Sequence, residues 1–342
     1  MKAPAHWNSR NALALSLLPL AWLFAGIGYL RRAAYNRGWL ASTHAGVTTV
    51  IVGNINVGGS GKSPLLISLV KLLRRQGLTV GVVSRGYGGS DIASPQWVVP
   101  DSSPAAVGDE AVMLARRCEC PVVVCASRVA AAAALLERET VDVLLSDDGL
   151  QHYALRRDIE IAVVDTERGL GNGWLMPAGP LREPSWRLDT VDFVVRNGDP
   201  SGFMLEPIGL QAVRGAQQQN LSAYRDQRVH AVAGIGNPQR FFKALRLSGM
   251  EIVEHAFADH HQFTRDDFQF HGDLPILMTE KDAVKCAGLG LKNAWYVPVD
   301  ALLARDWSET FSRLVVDQVA QYNAQVEEPT TEADEQRSRD EQ

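Results

Sequence analysis

Val50-Ile-Val-Gly-Asn-Ile-Asn-Val-Gly-Gly-Ser-Gly-Lys-Ser63 is the stretch on which the fold turns. The β-branched run over 47–52 reads as a strand buried on both faces, because such strands carry no polar alternation. A glycine-rich turn follows, then Lys-Ser and a helix expected over 62–76. In that succession the N–H groups of the turn converge on phosphate oxygens, and the helix N-terminus adds its positive end. Asn56, Val57, Gly58, Gly59, Ser60, Gly61, Lys62 and Ser63 are therefore the candidate ATP-binding residues. Lys62 can reach the β- and γ-phosphates, which makes it a catalytic candidate too, and the Ser63 hydroxyl can ligate Mg²⁺. The strict pattern has glycine where this chain has Asn56. Asparagine tolerates positive φ better than most residues, so the turn is expected to form regardless.

Outward from the loop, apolar strands alternate with amphipathic helices. Further buried strands are expected at 78–84, 121–125, 141–146, 159–165 and 191–197, with helices near 108–117 and 127–139. This series predicts an α/β fold, a P-loop NTPase-like parallel sheet with helices on both faces. A second βα series begins at Val229, continues through a helix over 238–247 and returns with strands at 275–279 and 295–299. The expected organisation is a membrane-associated helical segment over 1–40 and a P-loop kinase lobe over 41–200. A Gly- and Gln-rich linker over 201–227, a second, smaller α/β lobe over 228–325 and a disordered acidic tail over 326–342 follow. The strand over 141–146 ends on Asp147-Asp148, at the end of the sheet where a phosphate loop needs acids. Adjacent carboxylates repel without a cation between them, so both are candidate Mg²⁺ ligands, with a helix cap the structural alternative for Asp148.

The chain has 342 residues, 46% hydrophobic and 21% charged, enough for two medium domains with a proper core. Its net charge of −5 is carried by 326–342, which holds seven acids and two arginines. The remainder is about neutral and offers no basic field for nucleic acid. Cys118, Cys120, Cys125 and Cys286 are spaced neither as a disulfide framework nor as a zinc site, and read as small buried residues in a reducing compartment. From Ala12 to Leu30 nineteen residues carry no charge, bounded by Arg10 and by Arg31-Arg32. A span needs about 20, so crossing and lying in one leaflet both stay open. A cleaved signal peptide would carry the chain away from ATP, and a core helix would not need so long an apolar run. Trp22, Tyr29 and Trp39 favour the bilayer interface, and Arg31, Arg32 and Arg37 can meet anionic headgroups. Pro19, Gly26 and Gly28 interrupt a straight span. Membrane attachment through the N-terminus is the expectation.

A guanine switch is disfavoured, since Thr279-Glu-Lys-Asp282 has its lysine one place too late for that motif. Six other strings combine: GNINVGGSGKSP (53–64), SRGYGG (84–89), VGDE (107–110), SDDGLQH (146–152), RGLGNG (168–173) and PAGPLREP (177–184). Together they closely resemble the tetraacyldisaccharide 4′-kinase family of lipid A biosynthesis, over about 17–320. The resemblance implies transfer of the γ-phosphoryl of ATP to the 4′-hydroxyl of a tetraacylated glucosamine disaccharide 1-phosphate. The product would be lipid IVA, made at the cytoplasmic face of the inner membrane. A lipid substrate stays in the bilayer, which accounts for the apolar N-terminus; no nucleic acid and no obligate protein partner is implied.

The resemblance also implies a catalytic dyad, Asp109 of the Gly-Asp-Glu string and His260 of Ala258-Asp-His-His261, with His261 the neighbouring alternative. A carboxylate can accept the proton of a sugar hydroxyl while an imidazole orients it. The two lie on different lobes and are expected to meet only on closure. Arg85 can pair with a substrate or nucleotide phosphate, and Tyr87 can line the sugar site. Arg168 and Arg182 are candidates for the substrate's 1-phosphate or the transferring phosphoryl. Thr279–Asp282 resembles a further family string, with helix capping its only evident role. The alternative function is a membrane-tethered P-loop NTPase switch without a lipid acceptor.

Overall fold

The computed structural model describes residues 4–90 and 93–327. Two helices, α1 (Ala12–Ser16) and α2 (Leu18–Asn36), precede the first lobe. That lobe runs β1 (Thr48–Gly53), α3 (Lys62–Arg75), β2 (Val80–Ser84), β3 (Gln96–Trp97), α4 (Pro104–Val107), α5 (Asp109–Cys118) and β4 (Val122–Val124). It continues with α6 (Arg128–Leu136), β5 (Val143–Asp147), β6 (Ile159–Asp165), β7 (Phe193–Asn197) and β8 (Phe203–Pro207). The second lobe comprises β9 (Leu210–Ala212), β10 (Gln218–Gln219), β11 (Arg228–Ala233), α7 (Pro238–Leu247), β12 (Glu251–Ala256), β13 (Ile276–Thr279), α8 (Glu280–Cys286) and β14 (Ala294–Val297). β15 (Val299–Leu303) and α9 (Arg305–Glu327) complete the described chain.

The first sheet has the order β15-β8-β7-β6-β1-β5-β2-β4-β3. Its strands from β8 to β4 run parallel, while β3 and β15 close the edges antiparallel. After β1 the chain builds outward through β2 and β4, inserts β5 beside β1, and then crosses to β6 on the other side. The order reverses at β1, and ligands of open α/β sheets bind at the carboxyl end of such a reversal. The register pairs Val52 with Asp147, which sets the acid pair at the base of the loop leaving β1. α3 buries Leu65, Leu66, Leu69, Val70 and Leu73 in one cluster with Val50 and Val52 of β1. Each such side chain contributes roughly 1.5–3 kcal/mol, which holds the loop between two well-anchored elements. The second sheet, β10-β9-β14-β13-β11-β12, is parallel from β14 to β12.

The segment over 201–227, expected as a linker, instead carries strands: β8 extends the first sheet, and β9 and β10 edge the second. β15 then brings the chain back from the second lobe to pair with β8, from Val299↔Pro207 to Leu303↔Phe203. Strand edges recruit backbone partners whatever the side chains are, so a polar composition does not keep a segment out of a sheet. The lobes are also bolted by side chains. Arg117 of α5 reaches Glu280 of α8 at 2.6 Å and also bonds Asp300. Arg240 of α7 meets Asp165 at 2.7 Å.

The uncharged N-terminal run is not one helix. α1 ends at Ser16, Leu17 stands between the helices, and α2 starts at Leu18 with Pro19 in its first turn. A proline ring is tolerated there and not in a helix interior, so Pro19 starts a new helix. Among its own residues α2 buries Ala21, while Leu20, Trp22, Leu23, Ile27 and Leu30 are exposed. Among the described residues no helix is long and apolar enough to cross a membrane. Of the acidic tail expected over 326–342, Val326 and Glu327 end α9, and 328–342 lie outside the described residues. Cys118, Cys125 and Cys286 are buried, and among the described residues no disulfide joins the four cysteines.

Candidate active site

The phosphate loop hangs between β1 and α3. Gly58 and Gly61 take positive φ, +105° and +90°. A Cβ on Gly61 would stand 2.5 Å from Nδ2 of Asn197, so both conformation and space require glycine there. Asn197 in turn donates to the Ser60 carbonyl at 3.1 Å, and Asn54 donates to that of Gly58 at 3.2 Å. Asn56 does not adopt the positive φ expected of it. It pairs as a bridge with Leu181, and its side chain donates to the Gly169 carbonyl at 2.7 Å. The loop is thus held from outside by the 168–184 segment, and the glycine missing at its first position is not needed for the turn.

Lys62 opens α3, with its ammonium 3.3 Å from Oδ1 of Asp148, and Arg182 lies 3.0 Å from Oδ2. Burial by itself would raise the Asp148 carboxyl, but Lys62 and Arg182 outweigh it and hold the group at about 2. Asp147, 2% exposed, is pushed the other way, to about 7, by burial and by the charges of Glu110 and Asp148. Its Oδ2 accepts from Ser84 Oγ at 3.2 Å, while Oδ1 is buried with no hydrogen-bond partner. An orphaned carboxylate oxygen amid like charge, beside a phosphate loop, is what a divalent cation would satisfy. Ser63 on the first turn of α3 lines the same cavity. Among the described residues no cluster of three or more such side chains forms a metal cage.

Asp109 begins α5, 4% exposed, and its Oδ2 lies 3.2 Å from Nδ1 of His260. The two residues expected to meet only on closure are in contact here. Burial would raise the Asp109 carboxyl, yet the His260 hydrogen bond and the Lys281 charge prevail and hold it below its ordinary value. His260 sits at φ +60°, and its ring lies 4.9 Å from that of Tyr87. His261 faces away from Asp109, bonding Asp267 at 3.2 Å and packing on Phe257 and Phe263.

Lys62, Ser63, Asp147 and Asp148 share one cavity of about 1710 Å³ with His260 and Tyr87, and Asp109 touches it through His260. A nucleotide-sized site needs roughly 300–1,000 Å³, so a second, larger ligand has room beside it. Arg85 and Tyr87 line it from the loop after β2, and Phe24, Ile27 and Arg31 of α2 line its far side. Arg168 lies over the phosphate loop, donating to the Gly59 carbonyl at 3.4 Å, so both candidate arginines of the 168–184 segment stand at the phosphate end. The N-terminus grips the same segment, Trp7 donating to the Pro177 carbonyl at 3.1 Å.

Sequence reading missed two residues here. Arg128, 5% exposed, donates to the Asp148 carbonyl at 3.2 Å. Its place directly after the Ser127 cap, past the end of a parallel strand, was a readable signal. Lys281 bonds Glu110 at 3.1 Å and reaches His260 Nε2 at 3.4 Å. A lysine in the first turn of a helix opposes the helix dipole, and that anomaly was the available clue. The rest of its string has structural work: Thr279 caps α8, Glu280 pairs with Arg117, and Asp282 accepts from the Gly234 N–H at 2.8 Å.

A sequence profile described as Tetraacyldisaccharide-1-P 4′-kinase matches residues 13–317. A tetraacyldisaccharide 4′-kinase of Shewanella baltica is 48% identical over 311 residues, covering 89% of this chain and 91% of its own. One of Stenotrophomonas maltophilia is 46% identical over 330 residues, covering 92% and 96%. A crystal structure of LpxK from Aquifex aeolicus in complex with ATP superposes with a TM-score of 0.76 at 27% identity, covering 90% of this chain and 99% of that one.

Proposed function

The chain belongs to the tetraacyldisaccharide-1-P 4′-kinase family, and on that premise we propose that it transfers the γ-phosphoryl of ATP to the 4′-hydroxyl of a tetraacylated disaccharide 1-phosphate. The observation that carries the reading is the 3.2 Å contact of Asp109 with His260, which lines the same cavity as the phosphate loop. The loop N–H groups and Lys62 hold the β- and γ-phosphates. Asp109, kept ionised, takes the proton of the acceptor hydroxyl as its oxygen bonds phosphorus. The bond from phosphorus to the β,γ-bridging oxygen breaks, and ADP leaves with that electron pair. Ser63, Asp147 and Asp148 would hold Mg²⁺, which when bound neutralises phosphate charge. In this reading Arg85 and Tyr87, which line the cavity, would meet the sugar, and Arg168 and Arg182, beside the phosphate loop and Asp148, the transferring phosphoryl.

The test is transfer of γ-labelled phosphate to purified tetraacyldisaccharide 1-phosphate in detergent micelles. Label in the lipid is the expected result. Folded, ATP-binding protein that turns over ATP without lipid and labels none would favour the tethered switch instead.

The same reading puts the enzyme on the cytoplasmic face of the inner membrane, with α2 lying in one leaflet. Its exposed apolar face supports this, as does its position lining the cavity, where acyl chains would enter from the lipid. Replacing Trp22, Leu23 and Ile27 together by glutamate is expected to weaken co-sedimentation with phosphatidylethanolamine–phosphatidylglycerol vesicles by on the order of a hundredfold or more. Unchanged recovery in the lipid pellet would rule out attachment through this helix.

A further inference from the structure

Lys281 takes no part in the mechanism above, yet its side chain is only 15% exposed and faces the dyad from α8. Its ammonium has three hydrogens and no lone pair. It has three acceptors to match: Glu110 Oε1 at 3.1 Å, Asp259 Oδ1 at 3.5 Å and His260 Nε2 at 3.4 Å. An imidazole nitrogen that accepts from an ammonium carries no proton, so the ring proton of His260 must sit on Nδ1. Nδ1 is the atom 3.2 Å from Asp109 Oδ2, while Asp109 Oδ1 accepts from the Glu110 N–H at 2.9 Å.

We propose that Lys281 is a positioning residue for phosphoryl transfer: it holds His260 as the neutral Nδ1–H tautomer, so the imidazole donates to Asp109 and leaves that carboxylate to take the acceptor's proton. The inference rests on Asp109 and His260 acting as the dyad. By pairing with Glu110 and Asp259, the same ammonium also occupies the two carboxylates that would compete for that proton. Burial alone would strip Lys281 of its charge, but Glu110, Asp109 and Asp259 outweigh burial and push its pKa up. An imidazolium at His260 would set an Nε2–H against the ammonium, which like charge opposes. Among the described residues the titratable or charged groups at the ring are Asp109 from α5, Asp259 from its own loop, Lys281 from α8 and Tyr87 from the loop after β2, with Glu110 of α5 paired to Lys281. Lys285 stands one shell further, 3.9 Å from Asp109 and paired with Asp282 at 2.9 Å. During transfer the acceptor proton passes to Asp109, and neither His260 nor Lys281 changes its protonation.

The first test needs no change at Lys281. Imidazole ¹⁵N shifts of histidine-labelled protein, assigned with His260→Gln, are expected to show protonated Nδ1 and bare Nε2; an Nε2–H ring would overturn the proposal. The second compares Lys281→Met and Lys281→Arg with Asp109→Asn. Lys281→Met is expected to lower kcat near neutral pH by about tenfold to a hundredfold, a part of what acid–base catalysis supplies, with KM for ATP unchanged. Its acid-side limb should move to higher pH, because the Lys281 charge that helps hold the Asp109 carboxyl below its ordinary value is gone. Lys281→Arg, which keeps a cationic donor, should recover part of the rate. A wild-type profile in Lys281→Met, or an equal loss at every pH, sinks the assignment. If Asp109→Asn keeps its turnover, the dyad reading fails by itself; if it is inactive while Lys281→Met behaves as wild type, the role of Lys281 alone fails.

Discussion

Asp109→Ala is expected to lower kcat by roughly 10²–10⁴-fold, the range that a positioned general base supplies, with ATP affinity retained. The separation follows from geometry. Asp109 stands at the start of α5 against His260, whereas the phosphate loop is formed by other residues and gripped by Asn54, Asn197 and the 168–184 segment. Without the carboxylate the acceptor hydroxyl must lose its proton to water, and the phosphate contacts remain. Asp109→Asn is the control for fold, since it keeps the shape and removes the base. The His260 bond and the Lys281 charge, prevailing over burial, hold the carboxyl below its ordinary value. Asp109 therefore stays ionised at neutral pH, and the stability its pairing contributes fades only as pH falls through the acid range below that value. Single-turnover transfer at saturating ATP checks the prediction. A variant that labels lipid at the wild-type rate would remove Asp109 from the chemistry.

Lys62→Ala is expected to damage both binding and rate: about tenfold or more in ATP affinity, and on the order of 10²–10³-fold in kcat. Lys62 is the cation at the mouth of α3, and its present partner is Asp148 at 3.3 Å. When phosphates enter, the ammonium faces charge that is already there in bound ATP and grows on the leaving oxygen, so both quantities suffer. Asp148 keeps Arg182 at 3.0 Å and remains ionised in the variant, so the loss is not a secondary collapse of the acid pair. Nucleotide titration followed by single-turnover transfer separates the two effects. Unaltered affinity and rate together would end the phosphate-loop reading.

What could be read from the residues alone was local. A run of apolar residues, glycines at Gly58 and Gly61, and Lys-Ser at the head of a helix each act within one turn of chain. Helical and strand periods, and the need for glycine at positive φ, depend on immediate neighbours and so are written along the sequence. The acid pair at the end of β5 was legible for the same reason, since a buried parallel strand announces where it ends. Family strings added Asp109 and His260, which composition and spacing could not have paired. Asn56 was read by the same local logic and misplaced: its backbone follows a bridge to Leu181, 125 residues away along the chain.

Alone, then, the sequence determined the P-loop α/β lobe and named the candidate groups for the phosphates, the metal and the proton. Only the tertiary structure decided that residues 201–227 form strands and that β15 returns to the first sheet. It also decided that the N-terminal apolar run breaks at Leu17, and that Lys281 and Arg128 stand among the acids. Edge pairing and buried ion pairs between distant segments are set by which surfaces meet when the chain closes. A charge in low dielectric is stable only with its partner in place, and no window of neighbouring residues contains that partner.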